Sequence, residues 1–231
     1  MNGDGSGKQQ LTNDQFTKAL ASVSPDGRFI AFTSNRSGGI NNWLMDIDGG
    51  NVRRLTDGTF DQRPLISPDG KWVVFISLRS GTETLWKVPI DGGEPVQLSS
   101  KRTWGASISP DGKLIACVLS DEGTGQTNKI GLLPFEGGEF VKTLDLPASA
   151  VSGLAWTPDG SAITYIDNGS GTTNIVSQPL DGGPVKPLTN FKSDMGYRIS
   201  NFAWSREPGK QQLIYSRGPF TVDILLIKDF R

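Results

Sequence analysis

Histidine is absent from the 231-residue chain, and cysteine occurs once. The absence of histidine excludes Ser-His-Asp triads, imidazole acid–base catalysis and histidine-ligated metal sites within these residues. A single cysteine, Cys117, excludes an internal disulfide, and the apolar run around it, residues 114–119, predicts a core position. Because the familiar histidine-dependent and disulfide-based chemistries are excluded, we expect the chain not to be an enzyme.

Long apolar runs and an excess of one charge are missing as well. No segment approaches the ~20 apolar residues of a membrane helix, and the start of the chain has no apolar signal-peptide core. The 23 basic and 24 acidic residues leave a net charge of −1, which gives no electrostatic reason to bind nucleic acid. We therefore expect a monomer without a signal peptide, membrane insertion or cofactor, which binds a protein, a peptide or a small ligand.

Turn-forming residues recur along the chain with a regular period. S-P-D-G tetrads begin at Ser24, Ser67 and Ser109, and a T-P-D-G tetrad begins at Thr157, so that successive aspartates are 43, 42 and 48 residues apart. A fifth, altered copy begins at Ser205. Proline presets φ and glycine closes a type I turn, so each tetrad predicts a hairpin turn rather than one member of a ring of carboxylate ligands.

A second turn signal follows each of the first four tetrads: D-G-G at Asp48, Asp91 and Asp181, and E-G-G at Glu136. Two turns delimit four strands per repeat, and this period is typical of one propeller blade. We predict an all-β fold, a five-bladed β-propeller of four-stranded antiparallel blades that forms a single domain over residues 1–231. The predicted blades are residues 13–56, 57–99, 100–145, 146–189, and 190–231 together with 8–12.

The two chain ends are out of phase with the repeat. The last repeat ends with its third strand, residues 223–227, whereas Leu11-Thr12 matches the fourth-strand ends Leu55-Thr56 and Leu98-Ser99. We predict that residues 8–12 pair with residues 223–227, because an N-terminal strand that completes the last blade closes the ring and protects its edge.

The repeats resemble a known family. Residues 24–36 follow the pattern S-P-D-G-x-x-I-A-F-x-S-x-R, residues 67–79 follow it closely, and an aromatic third strand and D-G-G come next. This pattern is similar to the WD-like repeats of TolB-type propellers. The final segment, residues 202–227, resembles the ends of propeller regions in bacterial multidomain signalling proteins such as Ser/Thr kinases and winged-helix regulators. The resemblance implies the sensing part of a larger protein and favours an extracytoplasmic, periplasmic location.

Uniform turns form one face of the predicted propeller, while longer connections lie on the other face, in residues 13–19, 57–63, 100–104, 145–150 and 190–200. Irregular connections on a regular scaffold favour a binding face, and aromatic and arginine residues are the usual hot spots of interfaces. Packing between blades is the alternative for the aromatic members. The candidate binding residues are Phe16, Phe60, Arg63, Lys101, Arg102, Trp104, Tyr197 and Arg198.

These observations favour a non-enzymatic binding, sensor or protein–protein interaction module. The alternatives are a hydrolase or lyase that acts at the channel mouth, the gating propeller of a peptidase, and a structural spacer. Calcium is an alternative cofactor, since Asp46, Asp48, Asp57 and Asp61 offer oxygen ligands, although neither segment completes a calcium loop.

Overall fold

The computed structural model describes residues 9–120, 129–169, 171–192, 197–205, 211–219 and 224–226. Residue 8 and residues 223 and 227, which belong to the predicted closure, and residues 206–210 of the altered fifth turn lie outside this set. All the regular elements are β-strands. In the described part of the chain, no helix has the length and apolar character that a membrane crossing requires.

Four sheets each contain four consecutive strands joined by hairpins, and every strand pairing is antiparallel. The first blade consists of β1 (Lys18–Val23), β2 (Phe29–Ser34), β3 (Asn41–Asp46) and β4 (Arg53–Arg54). The second consists of β5 (Asp61–Ile66), β6 (Trp72–Ser77), β7 (Thr84–Pro89) and β8 (Val96–Gln97). The third consists of β9 (Thr103–Ile108), β10 (Leu114–Leu119), β11 (Lys129–Pro134) and β12 (Lys142–Asp145).

The fourth blade consists of β13 (Ala150–Trp156), β14 (Ala162–Asp167), β15 (Asn174–Pro179) and β16 (Lys186–Pro187). A fifth sheet contains three strands, β17 (Arg198–Trp204), β18 (Leu213–Gly218) and β19 (Ile224–Leu226). The predicted all-β propeller of antiparallel four-stranded blades is confirmed at this level. The predicted number of blades is corrected. We expected five four-stranded blades, whereas the described residues form four such blades and one three-stranded sheet.

The hydrophobic core lies in slabs between neighbouring blades. The second strands, such as β2 and β6, are apolar except at their last one or two residues, which suits strands whose two faces are both covered. Ala31 and Leu44 of the first blade pack against Val73 and Phe75 of the second, and equivalent clusters lie between the second and third, the third and fourth, and the fourth blade and the fifth sheet. Cys117 is fully buried in one such slab, as predicted, and burial raises the pKa of its thiol to about 12.

The tetrads form the predicted hairpin turns through a repeated hydrogen-bond pattern. In the first, the Gly27 N–H donates to the Ser24 carbonyl at 2.9 Å, and the Ser24 hydroxyl donates to the Asp26 carboxylate at 2.5 Å. That bond holds the pKa of Asp26 below its usual range. The same hydroxyl–carboxylate bond recurs in the other three tetrads. The aspartates therefore serve the turns, as the sequence predicted.

The predicted closure is not seen as a strand pairing. Gln9 to Thr12 belong to no strand, although Leu11 packs beside Ile30, Phe32 and Met45 on the free face of the first blade. Over the described residues the fifth sheet has three strands, and the structure does not show a closed ring.

Candidate ligand-binding site at the channel mouth

The first strands of the four blades share one irregularity, a β-bulge that shifts the register against the second strand. A residue with positive φ lies in each bulge: Leu20 at 55°, Arg63 at 57°, Gly105 at 60° and Gly153 at 71°. Glycine adopts this conformation freely, whereas for other residues it costs roughly 1–2 kcal/mol. Bulges redirect side chains. The first two blades carry non-glycine residues, Leu20 and Arg63, at this position despite the strain.

The bulges surround one end of a channel. A cavity of about 390 Å³ is lined by residues from the first strands of all five sheets, among them Leu20, Arg63, Trp104, Ser152 and Asn201. Its walls are completed by apolar side chains that include Leu65, Leu146 and Leu154. The volume falls within the range of small-molecule sites. We call this cavity the channel mouth.

A second cavity, of about 800 Å³, lies at the other end of the same strands. The prolines of the four tetrads line it, together with Trp156 and Trp204. Residues 206–210, which are outside the described set, follow directly after Ser205 in the lining of this turn-side cavity. The described residues therefore define the channel mouth more completely.

Arg63 is the one charged residue among the described residues that line the channel mouth. Its backbone N–H donates to the Thr33 hydroxyl of the first blade at 3.2 Å, which fixes the bulge across the blade boundary. The guanidinium has no hydrogen-bond or ion-pair partner among the described residues, and the residue is exposed. A cation without a partner among the described residues therefore lies at the rim of an apolar cavity.

Tyr165 lines the same cavity from the second strand of the fourth blade. The residue is 2% exposed, and its hydroxyl has no hydrogen-bond partner in the described structure. Burial, together with the nearby Asp167 carboxylate, raises the pKa of Tyr165 to about 12. The hydroxyl is therefore protonated at neutral pH and can donate a hydrogen bond.

Ion pairs anchor the connections that lead into the channel mouth. The Arg79 guanidinium donates to Asp57 at 2.8 Å and to the fully buried Asp61 at 2.9 Å, and the Ser77 hydroxyl donates to Asp61 at 2.6 Å. The equivalent Arg36 pairs with Asp14 at 3.1 Å. These bonds fix the connections just before the first strands.

Two of the eight predicted binding residues, Arg63 and Trp104, line the channel mouth. The sequence placed both in connections, but they lie within β5 and β9, because the bulges extend the first strands toward this face. Trp104 also packs against the cluster between the third and fourth blades, so the alternative packing interpretation holds for it as well.

The other six predicted residues lie outside the lining of this cavity as the structure describes it. Lys101 lies over the Phe140 ring at 5.6 Å, Arg102 pairs with Glu83 at 3.4 Å, and Tyr197 lies under the Arg217 guanidinium at 5.2 Å. Phe16, Tyr197 and Arg198 are exposed, and Phe60 is partly buried beside Ile40. Their role in binding stays a prediction.

Sequence reasoning missed Tyr165 and the bulges. Tyr165 lies in an apolar second strand, where nothing distinguishes it from core residues. The bulges did leave a signal: Leu20, Arg63 and Gly105 are spaced by the tetrad period, and a glycine in some repeats indicates a left-handed position in all of them.

We expected uniform turns on the tetrad face alone, but the face of the channel mouth also contains repeated turns. Turns that begin at Asn35, Leu78 and Asn168, on the face of the channel mouth, repeat one hydrogen bond from a glycine N–H, 2.9–3.1 Å long. Among the described residues, the irregular part of this face thus lies in the connections between blades; residues 121–128, which connect the second and third strands of the third blade, are outside the described set.

The oxygen ligands suggested for calcium are engaged within the chain. Asp48 accepts the Gly50 N–H at 2.8 Å, Asp46 accepts the Asn51 amide at 2.6 Å, and Asp57 and Asp61 hold Arg79. No cluster of three or more acidic or thiol side chains with metal-site geometry occurs in the described ranges. Calcium binding stays an untested prediction.

Sheets whose first strands surround a common channel define the β-propeller class. The chain belongs to the TolB beta propeller domain family, whose sequence pattern matches residues 2–139.

Similar proteins agree with this assignment. The structure of putative TolB from Agrobacterium tumefaciens matches with a TM-score of 0.72 at 18% identity over 90% of this chain, and TolB from Acinetobacter baumannii with 0.62 at 22% identity over 76%. Oligogalacturonate lyase from Vibrio parahaemolyticus matches with 0.60 at 14% identity over 94%. At these identities the likeness shows the fold alone.

The chain spans only part of several of these proteins. It covers 72% of the Agrobacterium tumefaciens structure, 46% of the Acinetobacter structure and 69% of the lyase. A protein of Agrobacterium fabrum strain C58, Atu1656, is 37% identical over 51 residues, which are 22% of this chain and 17% of that protein.

Proposed function

We propose that the chain is a non-enzymatic binding module, the sensing part of a larger bacterial signalling protein, and that its ligand or partner binds at the face of the channel mouth. The observation that carries the proposal is an apolar cavity lined by Arg63, whose guanidinium has no partner among the described residues and whose backbone is strained. Strain of this kind persists where the surrounding structure enforces it, and it is common at functional sites.

The contrast between the two ends of the channel supports this choice of face. On the turn side, the four tetrads repeat one pattern, and their hydroxyls and carboxylates bond to each other. At the mouth, the corresponding bulge positions differ from blade to blade, as leucine, arginine, glycine and glycine. A repeated pattern serves the scaffold, whereas a group present in one blade suits a specific ligand.

The chemistry of the lining supports binding. Arg63, the Tyr165 hydroxyl, Ser152 and Asn201 are polar groups spaced around apolar walls. A few polar groups that orient a ligand within an apolar cavity are the usual composition of a binding site.

We further propose that the fold is a ring completed by the N-terminal residues. Leu98 ends the second blade, and its carbonyl accepts the Gly138 N–H of the third blade at 3.0 Å. Leu11 lies in the equivalent place before the first blade, with its carbonyl oxygen 2.7 Å from the position that a Cβ on Gly49 would occupy. Leu11 thus lies where the outer strand of a preceding blade would lie.

The ring proposal predicts that deletion of residues 1–12 lowers the melting temperature. Gly49→Ala tests the same contact, with Gly92→Ala as the matched control, since both glycines have positive φ but only Gly49 lies against Leu11. Equal melting temperatures for the two variants would contradict the role of Leu11.

Affinity capture from a bacterial extract, followed by mass spectrometry, tests the binding face. Trp104→Ala and Arg102→Ala change the mouth face, and Lys113→Ala, beside an exposed tetrad, is the control on the turn face. We expect the mouth-face variants to lose a protein that the wild type and the control retain. Loss with the control alone, or retention by every variant, would contradict the proposed face.

A further inference from the structure

We propose that the channel mouth binds a small organic monocarboxylate with an apolar body, whose carboxylate pairs with Arg63. This inference rests on the proposed binding function and adds the chemical class of the ligand. The Arg63 cation, the apolar walls and the Tyr165 hydroxyl of a single cavity support it.

The arginines on this face differ in what they contact. Arg79 holds Asp57 and Asp61, Arg36 pairs with Asp14, and Arg102 pairs with Glu83. Among the described residues, the guanidinium of Arg63 has neither an acidic partner nor a carbonyl partner, so it can form a paired hydrogen bond with a carboxylate that enters the cavity.

The backbone at Arg63 gives a second reason to assign the ligand there. Gly105 and Gly153 fill the same bulge position in other blades without strain, so the fold does not need a side chain at this point. Arg63 therefore keeps a cation at a position where glycine fits better. Leu20, the other non-glycine residue at this position, has no charge, so among the four bulge residues Arg63 alone brings a cation to the cavity.

The walls indicate the rest of the ligand. Leu65, Ala106 and Leu154 line the cavity, and Trp104 offers a broad aromatic surface. A volume of about 390 Å³ accommodates a molecule with one or two rings.

The Tyr165 hydroxyl supplies an independent observation. It is buried, lines the cavity and has no partner among the described residues, which is uncommon because buried polar atoms are nearly always hydrogen-bonded. The neighbouring Asp167 does not accept this proton: its oxygens accept the Ser149 hydroxyl and the Gly169 N–H at 3.3 Å. An acceptor atom of the ligand would satisfy the hydroxyl.

The charge of the site limits the ligand to a monoanion. The described lining offers one guanidinium and no second cation, so a diphosphate or a dicarboxylate would leave a charge without a partner in an apolar site. An uncharged analogue of the same shape would keep the wall contacts and lose only the pairing with Arg63.

The experiment compares 1-naphthoate with uncharged 1-naphthamide, each titrated into the purified chain by isothermal calorimetry. We expect naphthoate to bind the wild type at least about tenfold more tightly than naphthamide, as one charge-assisted hydrogen-bonded pair provides. Arg63→Gln should abolish this preference, Arg63→Lys should restore part of it, and Tyr165→Phe should weaken naphthoate binding about fivefold. Arg28→Gln, an exposed arginine outside the cavity, is the matched control and should bind like the wild type. Melting curves confirm that each variant is folded.

Equal affinity of the two probes for the wild type, or an unchanged preference in Arg63→Gln, would overturn the inference. The proposed function fails in a different assay: capture of a partner that does not depend on Trp104 and Arg102 contradicts the face, whatever the naphthoate titration shows. Naphthoate binding without partner capture would support the site and show that the module senses a small molecule.

Discussion

Arg63→Gly is expected to stabilise the protein while it removes carboxylate binding. The φ of 57° at Arg63 costs roughly 1–2 kcal/mol that glycine would not incur. Glycine loses more backbone entropy on folding, which offsets about 0.5–1 kcal/mol of the gain. The side chain is exposed and has no bonding partner among the described residues, so its removal costs little else. The net gain is about 0.5–1 kcal/mol, or about 2 °C in melting temperature for a chain of this length.

Scanning calorimetry measures the first effect, and the naphthoate titration measures the second on the same protein. Arg198→Gly is the control, because Arg198 lies in a first strand and is not among the residues with positive φ. In an ordinary strand position glycine destabilises by roughly 0.5–1 kcal/mol. If Arg63→Gly also lowers the melting temperature, the bulge does not hold Arg63 under strain, and the argument from strain to function fails.

Three further substitutions or reactions test the scaffold. Arg79→Ala should cost roughly 3 kcal/mol in urea unfolding because it leaves the buried Asp61 carboxylate unpaired, and Arg79→Lys should restore part of the loss. Gly153→Ala should destabilise more than Gly105→Ala in the same assay: both have positive φ, but only at Gly153 would a Cβ meet a ring atom, at 2.8 Å. Cys117 should react with iodoacetamide at pH 8 only as fast as the protein unfolds, since burial raises its thiol pKa to about 12; rapid labelling of the folded protein would contradict the buried position.

The turns and second strands were predictable because local chemistry determines them. The tetrads contain every group that their hydrogen bonds require, and the apolar runs after them form the second strands β2, β6 and β10. The bulges of the first strands were not predicted, since a bulge breaks the alternation on which strand prediction relies. The number of four-stranded blades was overestimated because the prediction relied on a pairing between residues at opposite ends of the chain, and no local signal requires that pairing.

The candidate site was predictable only in part. Aromatic and arginine content pointed to Arg63 and Trp104, but the same rule selected Arg102 and Tyr197, which contact neighbours on the chain instead. What distinguishes Arg63 is a guanidinium left without a partner at a strained bulge, and what distinguishes Tyr165 is an unsatisfied hydroxyl. Both properties arise from the packing of several blades around the channel, so composition and spacing do not reveal them.

The tryptophan indole N–H signals in a ¹H–¹⁵N correlation spectrum test the central claim, that the ligand binds at the channel mouth. The chain has six tryptophans; Trp104 lines the mouth, whereas Trp156 and Trp204 line the turn-side cavity. We predict that 1-naphthoate shifts the Trp104 signal, assigned with Trp104→Phe, and leaves those of Trp156 and Trp204 in place. Shifts at Trp156 and Trp204 without one at Trp104 would contradict the account.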